Sequence, residues 1–230
     1  MESFSIFGDS VFKGARYDTA SAKYIVNDRF GLNAVADKAG LSVKNFSKFG
    51  CTVTKALGYV QKMFTKIDSD MVLMNFGGND CNYDWDAIAQ NPLDIHRPNT
   101  ELDQFVDSYN EMIDFVLEKR SLPVLATLLP VQDKRYIDYV CKVRNLDRKK
   151  VMAWVRSRDK SLSEHQKAYS DAVSEIAAKR GIPLIDLRSA FTDRINSSSL
   201  IGPDGIHPNA RGQKVISGCF EAFVGDYLAV

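Results

Sequence analysis

The chain has 230 residues, 45% of them hydrophobic and 26% charged, and a formal net charge of +1. That balance excludes a disordered or fibrous chain and offers no overall electrostatic case for nucleic acid or an anionic membrane. The length suits one α/β unit, so residues 1–230 are expected to form a single domain.

In chain order, short apolar runs alternate with segments of helical period. Met1–Phe7 lacks the basic start of a secretory signal, and no later run is as long and apolar as a membrane helix; both point to a cytoplasmic protein. Phe4–Phe7 reads as a first strand ending at Gly8, and residues 28–38 as a helix with Phe30, Leu32, Val35 and Ala36 apolar. Val43–Phe49 is a weaker second strand. A helix is expected over Thr52–Ile67, with Thr52 as its N-cap. The nearly continuous apolar run Met71–Phe76 suits a third strand covered on both faces. Phe105, Val106, Tyr109, Met112, Ile113 and Val116 form a helical stripe, and Leu122–Leu129 a fourth strand stopped by Pro130. A helix through Tyr169, Ala172, Val173, Ile176 and Ala177 ends at Gly181. Ile182–Leu187 is the fifth strand, and a last helix carries Val215, Ile216, Cys219, Phe220 and Phe223.

Strands and helices in alternation predict an α/β fold: a three-layer α/β/α sandwich around a five-stranded parallel sheet. The preferred strand order is the flavodoxin-like 2-1-3-4-5. In that order the ligand crevice lies where strands 1 and 3 diverge at their carboxyl ends. Gly8-Asp9-Ser10 follows strand 1, Phe49-Gly50-Cys51-Thr52 follows strand 2, and Gly77-Gly78-Asn79-Asp80 follows strand 3. Asp9 and Asp80 read as turn-orienting residues.

A serine at such a turn needs a base. Three histidines are available. His165 falls at the start of a helix, where a solvated side chain is expected, and His96 lies in a polar loop beside Pro98. His207 lies in the loop Gly202-Pro203-Asp204-Gly205-Ile206-His207-Pro208, with Asp204 three residues before it, close enough for a tight turn to bring carboxylate to imidazole.

These blocks, in this order, resemble the GDSL or SGNH hydrolase family over essentially the whole chain. The first block departs from the family name only in Val11, which stands where leucine is implied. The resemblance implies Ser10 as nucleophile, His207 as general base and then acid, and Asp204 as its orienting partner. It further implies an oxyanion hole of the Ser10 and Gly50 backbone N–H groups and the Asn79 side-chain amide. A small-molecule ester is the implied substrate, most simply an acetyl ester of a carbohydrate, with a thioester or lysophospholipid as the alternative. A non-catalytic ligand-binding module on the same fold is a weaker alternative, because Ser10, Asn79 and His207 are all present. Neither a cofactor nor a metal is expected.

Two segments exceed the minimal fold. Residues 81–100 follow the Asn79 turn and bring Tyr83, Trp85 and His96 as candidate substrate contacts at a pocket mouth. Residues 133–160 hold ten basic and four acidic side chains, a pattern that suits a solvated helical face better than a lid for an anionic substrate or a contact in a homo-oligomer. Cys51, Cys81, Cys141 and Cys219 have no metal-finger spacing and read as free, packed thiols.

Overall fold

The computed structural model describes residues 3–26, 32–62, 67–193 and 197–228. Five strands form a parallel sheet: β1 (Ser3–Gly8), β4 (Ser42–Asn45), β5 (Met71–Asn75), β6 (Leu122–Ala126) and β7 (Leu184–Ile185). Their spatial order is β4-β1-β5-β6-β7, which is the expected 2-1-3-4-5 arrangement. Between β1 and β4, β2 (Ala15–Asp18) and β3 (Lys23–Val26) pair antiparallel as a separate two-stranded hairpin.

Strand β5 shows why the sheet is central. All five of its residues are buried; Met71 and Leu73 pack to one face, Val72 and Met74 to the other. The first face is covered by α1 (Leu32–Lys38), α8 (Leu187–Thr192) and α9 (Ala210–Leu228). The other is covered by α2 (Val53–Lys62), α4 (Leu102–Glu118) and α7 (Leu162–Arg180). Each large apolar side chain so buried contributes about 1.5–3 kcal/mol. On α4 the buried set Phe105, Tyr109, Met112, Ile113 and Val116 is the stripe read from the sequence.

The sequence-based bounds were too generous in several places. Val43–Phe49 keeps strand pairing only to Asn45, because Asn45 turns back: its Oδ1 accepts from Ser47 N–H and its Nδ2 donates to Phe12 O. Strand four stops at Ala126, and the fifth strand is two residues long, since Asp186 caps α8 directly after it. Helix α2 begins at Val53, with Thr52 Oγ1 accepting from Lys55 N–H; its expected continuation over 63–66 lies outside the described residues, as do residues 28–31 of the first helix. Helix α7 starts with a reciprocal capping box between Ser161 and Glu164 and ends on Gly181 at φ 65°.

The segments beyond the minimal fold are helical. Residues 81–100 contain α3 (Trp85–Gln90), and residues 133–160 form α5 (Asp133–Arg144) and α6 (Arg148–Arg156). These helices share a small core of Tyr83, Trp85, Ile88, Tyr136, Ile137, Val140, Val151 and Trp154. Exposed ion pairs join Arg144 to Asp86 and Arg148 to Asp138, so the charged surface of the insert is its solvated side. Among the described residues no helix is long and apolar enough to cross a membrane.

Candidate active site

The turn after β1 is closed by Lys13 N–H to Asp9 O and Ala15 N–H to Ser10 O, which leaves the Ser10 side chain at the carboxyl edge of the sheet. Asp9 Oδ1 accepts from Val11 N–H at 2.8 Å, and Oδ2 accepts from Asn79 Nδ2 at 3.1 Å. Burial pushes the Asp9 carboxyl up to about 6, against the lowering effect of these bonds and of His207. Asp9 therefore ties the first turn to the third. Asp80 ties the third to α2, with Oδ1 accepting from Val53 N–H at 2.9 Å; burial raises it too to about 6.

The loop bearing Asp204 and His207 is closed on itself. Ile201 and Pro208 form an antiparallel bridge, and Gly202 N–H donates to His207 O. Gly205 at its tip has φ 81°, and an added Cβ would stand 2.4 Å from Tyr136 N and 2.8 Å from Gln132 O. Only glycine lets the loop press this closely on the start of α5, where Gln132 N–H donates to Gly205 O.

Asp204 is fully buried. Its Oδ2 lies 2.6 Å from His207 Nδ1, and its Oδ1 accepts from the backbone N–H of His207 (3.2 Å) and Ile206 (3.4 Å). Burial pushes the carboxyl up, but the bonds and charge of His207 and the Ile206 N–H outweigh it and hold Asp204 below the usual carboxylate range. An ionised carboxylate only accepts, so Nδ1 carries the ring proton and Nε2 presents its lone pair. Ser10 Oγ stands 2.7 Å from Nε2, buried, and donates to it. Residues 10, 204 and 207 are thus linked in one hydrogen-bonded line.

A pocket opens from this line, with about 770 Å³ of empty volume including its mouth. Ser10, Gly78, Asn79 and His207 stand at one part of its wall; Leu128, Leu129, Val131, Leu162 and Ile206 give it apolar sides. Of the expected oxyanion donors, Ser10 and Asn79 line the pocket. Asn79 Nδ2 is held between Asp9 Oδ2 and Cys51 O (3.2 Å). Gly50 sits in an exposed turn at φ 65° and is not part of the lining.

Tyr83 and Trp85 both line the pocket, whereas His96 does not: its Nε2 meets Asn91 O and its ring packs edge-on to Trp154. His165 corrects the expectation of a solvated side chain. It is half-buried in the pocket wall, and Tyr83 Oη lies 3.0 Å from its Nε2. Burial lowers its ring to about 4, which keeps it neutral. The pairing spans 82 residues, so no local pattern could have announced it.

The hairpin was missed as well. Tyr24 of β3 packs on the His207 ring, with centroids 4.7 Å apart. Its signal was the turn at Asp18, whose Oδ2 accepts from Ser21 N–H and Oγ, between two short runs that each contain a tyrosine. Cys51, Cys81, Cys141 and Cys219 form no disulfide, and burial raises the Cys51 and Cys81 thiols, so neither flanking turn holds a thiolate. Among the described residues no group of three or more His, Cys, Asp and Glu side chains could hold a metal ion.

The sequence is 27% identical over 186 residues to "GDSL esterase/lipase CPRD49" of Arabidopsis thaliana, a match that takes in 80% of this chain and 65% of that longer one. Among solved structures, the fold is similar to a lipase/acylhydrolase from Enterococcus faecalis, with TM-score 0.70, 19% identity and coverage of 99% and 97% of the two chains. It is also similar to a mutant of Axe2, an acetyl-xylooligosaccharide esterase from Geobacillus Stearmophilus, with TM-score 0.67, 16% identity and coverage of 97% and 94%. The profile of the GDSL-like Lipase/Acylhydrolase family matches residues 6–215, and the chain belongs to that family.

Proposed function

We propose that this protein is a carboxylester hydrolase that works through an acyl-enzyme on Ser10. The observation that carries the reading is the line Ser10 Oγ–His207 Nε2 (2.7 Å) and His207 Nδ1–Asp204 Oδ2 (2.6 Å) at the mouth of an apolar-walled pocket. His207 takes the Ser10 proton as Oγ attacks the ester carbonyl, and Asp204 stabilises the resulting imidazolium. His207 then returns that proton to the leaving alcohol. A water, deprotonated by His207, attacks the acyl carbonyl and releases the acid, and Ser10 regains its proton. The developing oxyanion is met by the Ser10 N–H group and by Asn79, which shares one of the two N–H bonds it now makes to Asp9 and Cys51.

The pocket takes the acyl side. Its lining includes Leu128, Leu129, Val131, Leu162 of α7 and Ile206, apolar surface that suits a chain longer than acetyl, such as butyryl to octanoyl. The acetyl-carbohydrate reading has only a fold likeness behind it. The same walls would accept the acyl chain of a thioester or a lysophospholipid.

The test is hydrolysis of p-nitrophenyl acetate, butyrate and octanoate by wild type and Ser10→Ala, with an acyl thioester and a lysophospholipid alongside. Activity that rises beyond acetate and disappears in Ser10→Ala is the expected result. Equal rates in wild type and variant would dismiss Ser10 as nucleophile; a preference for acetate would move the acyl group out of the deep pocket.

A further inference from the structure

The β2–β3 hairpin sets Tyr24 against the imidazole of His207, with ring centroids 4.7 Å apart and planes at 59°. Burial first, and then the nearby Tyr139 and Asp204 side chains, raise the phenol well above its ordinary range. The ring is itself braced. Tyr17 meets it edge-on at 5.5 Å and Tyr139 of α5 at 6.1 Å, Phe49 lies tilted to it at 6.3 Å, and Tyr17 and Tyr139 meet at 5.3 Å. Tyr24 does not line the pocket.

During turnover the imidazole must serve two oxygens in succession, Ser10 Oγ and that of the leaving alcohol. Between them Nε2 has no fixed partner, and the ring is held only through Nδ1 and by what it packs against. We infer that Tyr24 is a positioning residue for His207: its ring walls one side of the imidazole and holds it in line with Asp204 and Ser10. The inference rests on the proposed reading of Ser10 and His207. It differs from a substrate contact in a measurable way, because a group outside the pocket acts on turnover and leaves substrate binding unchanged.

The experiment compares wild type, Tyr24→Phe and Tyr24→Ala in the full chain, by kcat and KM on p-nitrophenyl butyrate and by the rate of Ser10 labelling with a fluorophosphonate. Loss of the ring wall is expected to lower kcat about tenfold in Tyr24→Ala, and restoring the ring in Tyr24→Phe to bring it back to within about threefold of wild type. KM stays unchanged and labelling slows by the same factors. If Tyr24→Ala does not fold, Tyr24→Leu takes its place in the series. An aliphatic variant as fast as Tyr24→Phe overturns the inference, as does a loss confined to KM. If wild type is not labelled, or Ser10→Ala is labelled equally, the reading of Ser10 itself has failed and the inference falls with it.

Discussion

Replacing Asp204 by asparagine keeps the shape of a wholly buried side chain and removes its charge. The two backbone N–H groups of Ile206 and His207 both point at Oδ1. The amide oxygen must therefore stay on that side; the reverse orientation would set an NH₂ group against two donors. Nδ2 then occupies the position 2.6 Å from His207 Nδ1 and needs an acceptor there. The imidazole answers by moving its proton to Nε2, which now points an N–H at Ser10 Oγ and can no longer take its proton. The loss expected from a wrong tautomer is about 10⁴-fold in kcat, which is about 5.5 kcal/mol of transition-state stabilisation. The assay is kcat on p-nitrophenyl butyrate at neutral pH together with a thermal melt, since the isosteric change should leave the fold in place. A variant that keeps its melt and stays within tenfold of wild type would refute both the tautomer and the role of the carboxylate.

Gly205→Ala forces a Cβ onto the backbone of α5 at a position with φ 81°, so the loop must lift. A displacement near 1 Å is expected to cost about 10²-fold in kcat, read as slowed fluorophosphonate labelling alongside a lowered melting temperature. Leu162→Phe narrows the apolar wall of the pocket and should lower the octanoate-to-acetate rate ratio while acetate itself is spared. The pH dependence of stability follows from Asp9 and Asp80, both raised to about 6 by burial. The native state holds these protons where the unfolded chain, titrating near 4, has released them. Their stabilising effect is thus complete below pH 4 and lost as pH rises through 6. Asp80→Asn is expected to remove about half of that pH-dependent loss in urea titrations between pH 4 and 7; an unchanged slope would place the ionisation elsewhere.

The parts of the fold that were legible in the sequence are those whose partners are averaged over a whole face. Met71–Phe76 announced a central strand because both faces of it are buried, and Phe105–Val116 announced α4 because one stripe meets the sheet. Gly8-Asp9-Ser10 and Asp204–His207 were legible because each is a local turn with its own chemistry. The hairpin was not: its strands are four residues each and half exposed, so they carry little apolar alternation. Of α5 the solvated helical face was legible, while its load of Lys and Arg hid the buried side of Tyr136, Ile137, Val140 and Cys141. His165 and His96 exchanged expected places because the decisive contact for one, Tyr83, arrives from a distant segment, while the other closes on its own loop at Asn91.

The proposed nucleophile and base are 197 residues apart along the chain and meet through one hydrogen bond. Ser10 directly follows the first strand and His207 lies in the loop before the last helix, so almost the whole sheet must be assembled before they can touch. Catalytic competence is therefore a report on completion. On the ribosome the chain can bury most of β1, β5 and β6 and still be inert until residue 207 has emerged. In refolding, Trp85 and Trp154 pack in a small helical core whose buried members all lie between residues 83 and 162, so their burial can come ahead of any hydrolysis. A chain cut anywhere that releases the last loop should lose its chemistry at once, however much of its secondary structure survives.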